Sequence, residues 1–128
     1  MPPRLAGSTS INLTVLVGVS GGIAAYKTAD LVSRLKKAGC SVHVAMTEAA
    51  TRFVAPLTFE ALSGHRVHAS VFPAQPAEQP EASYPHLYPA TRADAMVVAP
   101  ATADVIARLA HGLGNDAVTA AALSLPPA

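Results

Sequence analysis

Gly18, Ser20, Gly21 and Gly22 crowd into five positions at the end of an apolar run that begins at Leu13, and a helix-like stretch from Ile23 follows at once. Glycine lets a chain turn sharply and leaves its amides uncovered, and the positive end of a helix dipole favours an anion in front of them. The chemistry this spacing offers is the grip of a phosphate. The dinucleotide pattern G-x-G-x-x-G is absent and no G-K-[ST] follows at Walker spacing, so neither NAD nor ATP is favoured. Gly18-Val19-Ser20-Gly21-Gly22 also reads G-x-S-x-G, which makes Ser20 a candidate nucleophile. A nucleophile elbow needs an oxyanion loop from an earlier βα unit, with an acid and a histidine downstream. Only a short tail precedes this strand, so Ser20 is read as phosphate-facing or turn-forming.

The elements that must carry this loop alternate between strand and helix. Residues 1–10, rich in Pro, Gly and Ser, are expected to be a disordered leader, and residues 11–128 a single domain. After the first strand, Ile23, Tyr26, Ala29, Leu31, Val32 and Leu35 recur at helical spacing with charged residues mostly opposite, and Gly39 fits the stop. Residues 41–46 predict a second strand, with Thr47 as a helix cap or a ligand-binding turn. Residues 54–62 predict a helix around Pro56 ending at Gly64. Five prolines between positions 72 and 89 predict a long surface loop that contains His86. Residues 95–100 predict another buried parallel strand, residues 105–111 a helix closed by Gly112, and residues 115–123 the last helix.

The pattern is that of a three-layer, Rossmann-like open parallel sheet with helices on both faces. The chain ends where the alternation calls for a further strand, so the domain is expected to be truncated at its carboxy-terminal end. In such sheets the ligand lies beyond the carboxyl ends of the strands. Gly21 and Gly22, Thr47, and Pro100, Ala101 and Thr102 all fall at strand ends, although Thr47 alone reads equally as a cap, the 100–102 segment equally as a strand exit, and Phe53 as core.

Composition narrows the partners. Hydrophobic residues make up 51% of the chain and charged residues 13%, so much of it must be buried in its core or against other subunits. A net charge of +1, with no basic cluster longer than Arg34-Leu35-Lys36-Lys37, gives no footprint for nucleic acid. No apolar stretch reaches the roughly 18 residues needed to span a bilayer. Cys40 is the single cysteine, read as a buried structural thiol, and a lone thiol fits the cytoplasm. No metal-ligand spacing stands out.

Taken together, the glycine loop through Lys27, Met46-Thr47-Glu48-Ala49-Ala50, Pro56-Leu57-Thr58 with Leu62-Ser63-Gly64, and Ala99-Pro100-Ala101-Thr102-Ala103-Asp104 with Ile106 through Gly112 and Asn115-Asp116 resemble a known family. It is the homo-oligomeric flavin-containing cysteine decarboxylases, and the likeness is greatest to the phosphopantothenoylcysteine decarboxylase module of coenzyme A biosynthesis. The resemblance runs in order from position 13 to 123. It implies FMN as cofactor, with Gly21, Gly22 and Ile23 lining the flavin site, Thr47 and Phe53 near the phosphate or ring, and Pro100, Ala101 and Thr102 along the edge.

The same resemblance places the family's essential histidine eight residues before the Asp ahead of the Ala-Pro-Ala-Thr strand, which here is His86 ahead of Asp94. It also places Asn115 near the active site, where a plain reading makes it a helix start. It implies that flavin takes electrons from the substrate's cysteine thiol, so that the adjacent carboxylate leaves as carbon dioxide, with His86 as base or orienter. The family's Pro-Ala-Met-Asn substrate clamp and its proton-donor cysteine fall outside these 128 residues, and Pro85 stands where glycine is common. The expected partners are the small-molecule substrate phosphopantothenoylcysteine and further copies of the chain, as a homotrimer or higher homo-oligomer. A noncatalytic flavoprotein or regulatory subunit of the same fold, and a related flavin prenyltransferase, are the other readings. The prenyltransferase is disfavoured by Gly21-Gly22-Ile23 where its loop has Gly-Ala-Ser.

Overall fold

The structure is a computed structural model and describes residues 12–71 and 90–127. The expected leader at 1–10 and the expected loop at 72–89, His86 included, lie outside the described residues. Strand β1 (Thr14–Val19) is central, with β2 (Ser41–Met46) on one side and β3 (Ala95–Val98) on the other, all parallel in the order β2-β1-β3. Val17 pairs with Val44 and Val97, so the three strands are in register through their middles. Helix α1 (Ala25–Lys37) connects β1 to β2. Helices α2 (Glu48–Thr51) and α3 (Pro56–Ser63) follow β2, and α4 (Ala103–His111) and α5 (Ala117–Leu123) follow β3.

Strand alternation sorts the core into two layers. Val15, Val17 and Val19 with Val42, Val44 and Met46 point to one face, where Val32 of α1 and Phe59 of α3 close over them. Leu16 and Ala45 point to the other, against Val105 of α4 and Ala117, Val118 and Ala121 of α5. Each fully buried Val, Leu or Phe side chain contributes roughly 1.5–3 kcal/mol by leaving water, and both layers draw on β1. Gly18 is the position that lets α5 approach: a Cβ there would stand 2.9 Å from Val118 Cγ1 and 3.1 Å from Met96 Cε.

Several element boundaries differ from those predicted. Helix α4 begins at Ala103 rather than 105 because Thr102 caps it, its Oγ1 accepting from Val105 N–H at 3.3 Å. Helix α5 begins at Ala117, and its cap is Asp116 rather than Asn115: Asp116 Oδ1 accepts from both Val118 and Thr119 N–H at 2.9 Å. Helix α3 starts at Pro56, whose ring suits the first helical position. The buried face of α1 is Ala25, Thr28 and Val32, which leaves Tyr26 exposed on another face, while Ile23 precedes the helix and is 81% exposed. Cys40 is buried, as expected.

Beyond β2 the sheet gains one further parallel bridge, Ala45 to His68, through His68 N–H to Val44 O at 2.9 Å and Met46 N–H to His68 O at 2.8 Å. Beside it the rings of His43 and His65 stack with centroids 4.0 Å apart, and His65 Nδ1 lies 2.8 Å from Val42 O. Burial first, and then the neighbouring His65, His68 and Lys36, lower the pKa of His43 to about 4. The unfolded chain therefore takes up this proton near pH 6.5 while the folded chain refuses it until about pH 4. Stability is complete above the upper value and is lost as pH falls through that window, by about 1–2 kcal/mol after allowance for solvent screening. Urea unfolding at pH 7.5 and 4.5 checks this: the acid loss should shrink by that amount in His43→Phe, and an equal loss in both proteins would exclude His43 as its source.

Candidate functional site

Three strand-exit loops converge at the carboxyl end of the sheet. Ser20, directly after β1, is buried, and its hydroxyl donates to the Pro100 carbonyl and accepts from Thr102 N–H at 3.1 Å. Thr28 Oγ1 donates to Ala99 O at 2.8 Å, and Ala99 N–H donates to Gly18 O at 2.8 Å. The loops after β1 and β3 are thus fastened by side chain and main chain. The Ser20 proton is spent on a carbonyl and its lone pair on an amide, so the hydroxyl is a tie between loops and the nucleophile reading lapses.

Gly21 lies against the start of α2. A Cβ on it would stand 2.5 Å from Ala49 Cβ and 3.0 Å from the Ala49 carbonyl carbon, closer than real Cβ atoms pack. Thr47 joins the loop after β2 to that after β1, its N–H donating to Val19 O at 3.0 Å while its Oγ1 caps α2 by accepting from Ala50 N–H at 3.1 Å. Helix α1 begins with no side-chain cap. Gly22 N–H turns back onto Ser20 O at 3.0 Å, whereas the N–H groups of Gly21, Ile23 and Ala24 find no acceptor among the described residues. A thirteen-residue helix with an uncapped start, preceded by free amides and a glycine, is suited to an anionic group.

These loops border an open cavity of about 360 Å³, within the range of small-molecule and cofactor sites. Ser20, Gly21, Thr47, Glu48 and Ala49 line it from the loops after β1 and β2, and Thr102, Asp104, Arg108, Asn115 and Asp116 from the chain after β3. Of the residues singled out in the sequence, Gly21, Thr47, Thr102 and Asn115 line it together. Gly22 packs behind them, its added Cβ falling 3.4 Å from Pro100 Cγ and 3.5 Å from Thr102 Cγ2. Ile23, Phe53 and Ala101 are exposed and are not in the lining. Phe53, 54% exposed, is not core either: it follows the short α2 and does not belong to the layer closed by Phe59.

Thr47 was ambiguous between cap and ligand contact and Thr102 between strand exit and ligand contact, and here each caps a helix while lining the cavity. Sequence reasoning passed over Glu48, Asp104, Arg108 and Asp116 as site residues. The signal for two of them was present, since Asp104 and Arg108 stand four apart on α4 and pair at 3.1 Å. The Asp116 carboxylate is committed to the start of α5. Among the described residues no group of His, Cys, Asp and Glu is arranged to hold a metal ion, and no helix is long and apolar enough to cross a membrane.

A parallel α/β sheet with a glycine turn and a cavity at its strand ends is the arrangement in which open α/β proteins bind their ligands. The chain belongs to the Flavoprotein family, which it matches over residues 5–126. It is 52% identical over 110 residues to the coenzyme A biosynthesis bifunctional protein CoaBC of Vibrio vulnificus (strain YJ016), covering 86% of this chain and 26% of that protein. It is 49% identical over 112 residues to CoaBC of Escherichia coli (strain K12), covering 88% and 27%. The chain thus spans about a quarter of the length of these curated relatives. Among solved structures, the FMN-dependent cysteine decarboxylase SpaF superposes with a TM-score of 0.77 at 27% identity, covering 89% of this chain and 63% of that one.

Proposed function

We propose that this chain binds FMN and carries the decarboxylation of phosphopantothenoylcysteine to phosphopantetheine, a flavin-dependent carboxy-lyase step of coenzyme A biosynthesis in the cytoplasm. The observation that carries the reading is the cradle at Gly21: a backbone pressed onto Ala49, with unpaired amides at the uncapped start of α1, beside a cavity of cofactor size. Its support from other proteins is the family itself, the relatives named for coenzyme A biosynthesis, and a like fold named as an FMN-dependent cysteine decarboxylase.

In this reading the amides of Gly21, Ile23 and Ala24 hold the phosphate, with Thr47 beside it. When bound, FMN supplies an electron acceptor for oxidation at the substrate's thiol-bearing carbon, which makes loss of the carboxylate easy. The chain supplies the rest. Thr102 and Asn115 offer polar groups to the ligand, with Arg108 behind Asn115, Pro100 buttresses Gly22, and His86 takes or orients a proton of the substrate. Ile23, Tyr26, Phe53 and Leu57 are large apolar side chains left exposed, and they fit burial against further copies in a homotrimer or higher homo-oligomer.

The visible spectrum of the purified protein after incubation with FMN tests the reading. Retained oxidised flavin that bleaches, with carbon dioxide released on adding phosphopantothenoylcysteine, is the expected result. A protein that stays yellow and inert reduces the proposal to flavin binding, and one that remains colourless at saturating FMN overturns it.

A further inference from the structure

Arg108 sits one helical turn beyond Asp104 on α4, and its guanidinium reaches two ways along the cavity wall. Nε donates to Asp104 Oδ2 and Oδ1 at 3.1 and 3.2 Å, and Nη1 donates to Asn115 Oδ1 at 2.8 Å. The main chain adds another tie, because the Arg108 carbonyl accepts from Leu113 N–H at 2.9 Å, binding the segment that carries Asn115 to the end of α4. Asn115 itself is exposed and caps no helix, so nothing in the α5 start explains its orientation.

A guanidinium has only donors to offer, whereas an amide side chain has an acceptor end and a donor end. Arg108 therefore dictates which way the Asn115 amide faces. Its oxygen is taken, and its NH2 is the end left for the cavity that both residues line. The Arg108 charge is already paired with Asp104, so its contribution to a ligand runs through the neighbour it orients.

We infer that Arg108, backed by Asp104, is a positioning residue that turns the Asn115 amide so that Nδ2 donates a hydrogen bond to an acceptor oxygen of FMN. This rests on the FMN reading above. An exposed ion pair by itself is worth little to a fold, so a purely structural Arg108 would leave cofactor affinity where it was.

The test is a double-mutant cycle read by flavin fluorescence during FMN titration, with thermal melts of the flavin-free proteins alongside. Arg108→Met and Asn115→Ala are each expected to weaken FMN binding about tenfold, the scale of one lost charge-assisted or oriented hydrogen bond. The double variant should be no weaker than Asn115→Ala alone, because Arg108 acts through that amide. Arg108→Lys keeps a cationic donor and should recover to within about threefold of the wild type, and Arg108→Ala serves in place of the Met variant should that one not fold. Unchanged affinity in Arg108→Met, or losses that multiply to about a hundredfold in the double variant, would overturn the inference while leaving FMN binding by the wild type intact. A wild-type protein that ignores FMN removes the functional reading first, and this inference with it.

Discussion

Gly21→Val is expected to lower FMN affinity by at least about a hundredfold, the largest single effect available in the described residues. The reason is steric before it is chemical. The first atom added at Gly21 lands 2.5 Å from Ala49 Cβ, and 3.0 and 3.2 Å from the Ala49 carbonyl carbon and Cα, which are backbone of α2. Backbone cannot swing aside as a side-chain tip can, so the loop after β1 must lift from α2, carrying with it Gly21, which lines the cavity. Forced overpacking of this kind typically costs 1–3 kcal/mol of stability, and in a loop that cost is met by local displacement.

Two companions sharpen the test, which isothermal titration with FMN would read. Gly22→Ala meets ordinary neighbours at 3.4 Å and 3.5 Å, and its affinity should stay within about fivefold of the wild type, since that contact is relieved by a small shift. Ala49→Gly in the Gly21→Ala background removes the 2.5 Å clash while leaving the 3.0 Å one, so it should restore part of the affinity lost by Gly21→Ala alone. Wild-type FMN affinity in Gly21→Val would show that the cradle does not hold the cofactor.

His86→Ala is expected to cut decarboxylation by about 10²–10⁴-fold, the usual worth of a positioned acid or base, with FMN still bound. His86 lies outside the described residues, and its assignment rests on the eight-residue spacing to Asp94 that the family resemblance singles out. Imidazole changes charge near neutral pH. A base must be neutral to accept a proton, so an acid limb of the wild-type pH–rate profile should be absent from the residual rate of His86→Ala. In a shared site, mixing His86→Ala subunits with Gly21→Val subunits should recover activity in mixed oligomers, because each supplies what the other lacks. A His86→Ala enzyme with wild-type turnover would remove the histidine from the mechanism.

The local parts of this architecture were legible from composition and spacing. Thr47 and Gly112 begin and end helices through contacts within three or four residues, so their types alone point to their places. The strands at 14–19, 41–46 and 95–98 are apolar runs between turn formers, and β1 and β2 are buried as that implies, but β3 ends at Val98 and is exposed to half-buried rather than buried, because it lies at the edge of the described sheet. The α1 face was harder. Ala25, Thr28 and Val32 are small or β-branched and carry little hydrophobic signal, while the larger Ile23 and Tyr26 weighted the pattern toward a side that is exposed.

By itself the sequence determined the class of the protein: a glycine turn after a buried strand, repeated β-turn-α units, and a run of motifs that marks the Flavoprotein family. Tertiary structure decided which residues meet. Ser20 ties to Pro100 across eighty positions, Thr28 to Ala99 across seventy-one, and the His43 ring settles on His65 across a strand and two helices. Arg108 finds Asn115 only because α4 ends in a left-handed glycine turn that folds the next segment back over it. Helix caps and strand runs are written in neighbouring residues, but contacts between distant segments depend on how the layers stack, and that is settled only when the whole chain packs.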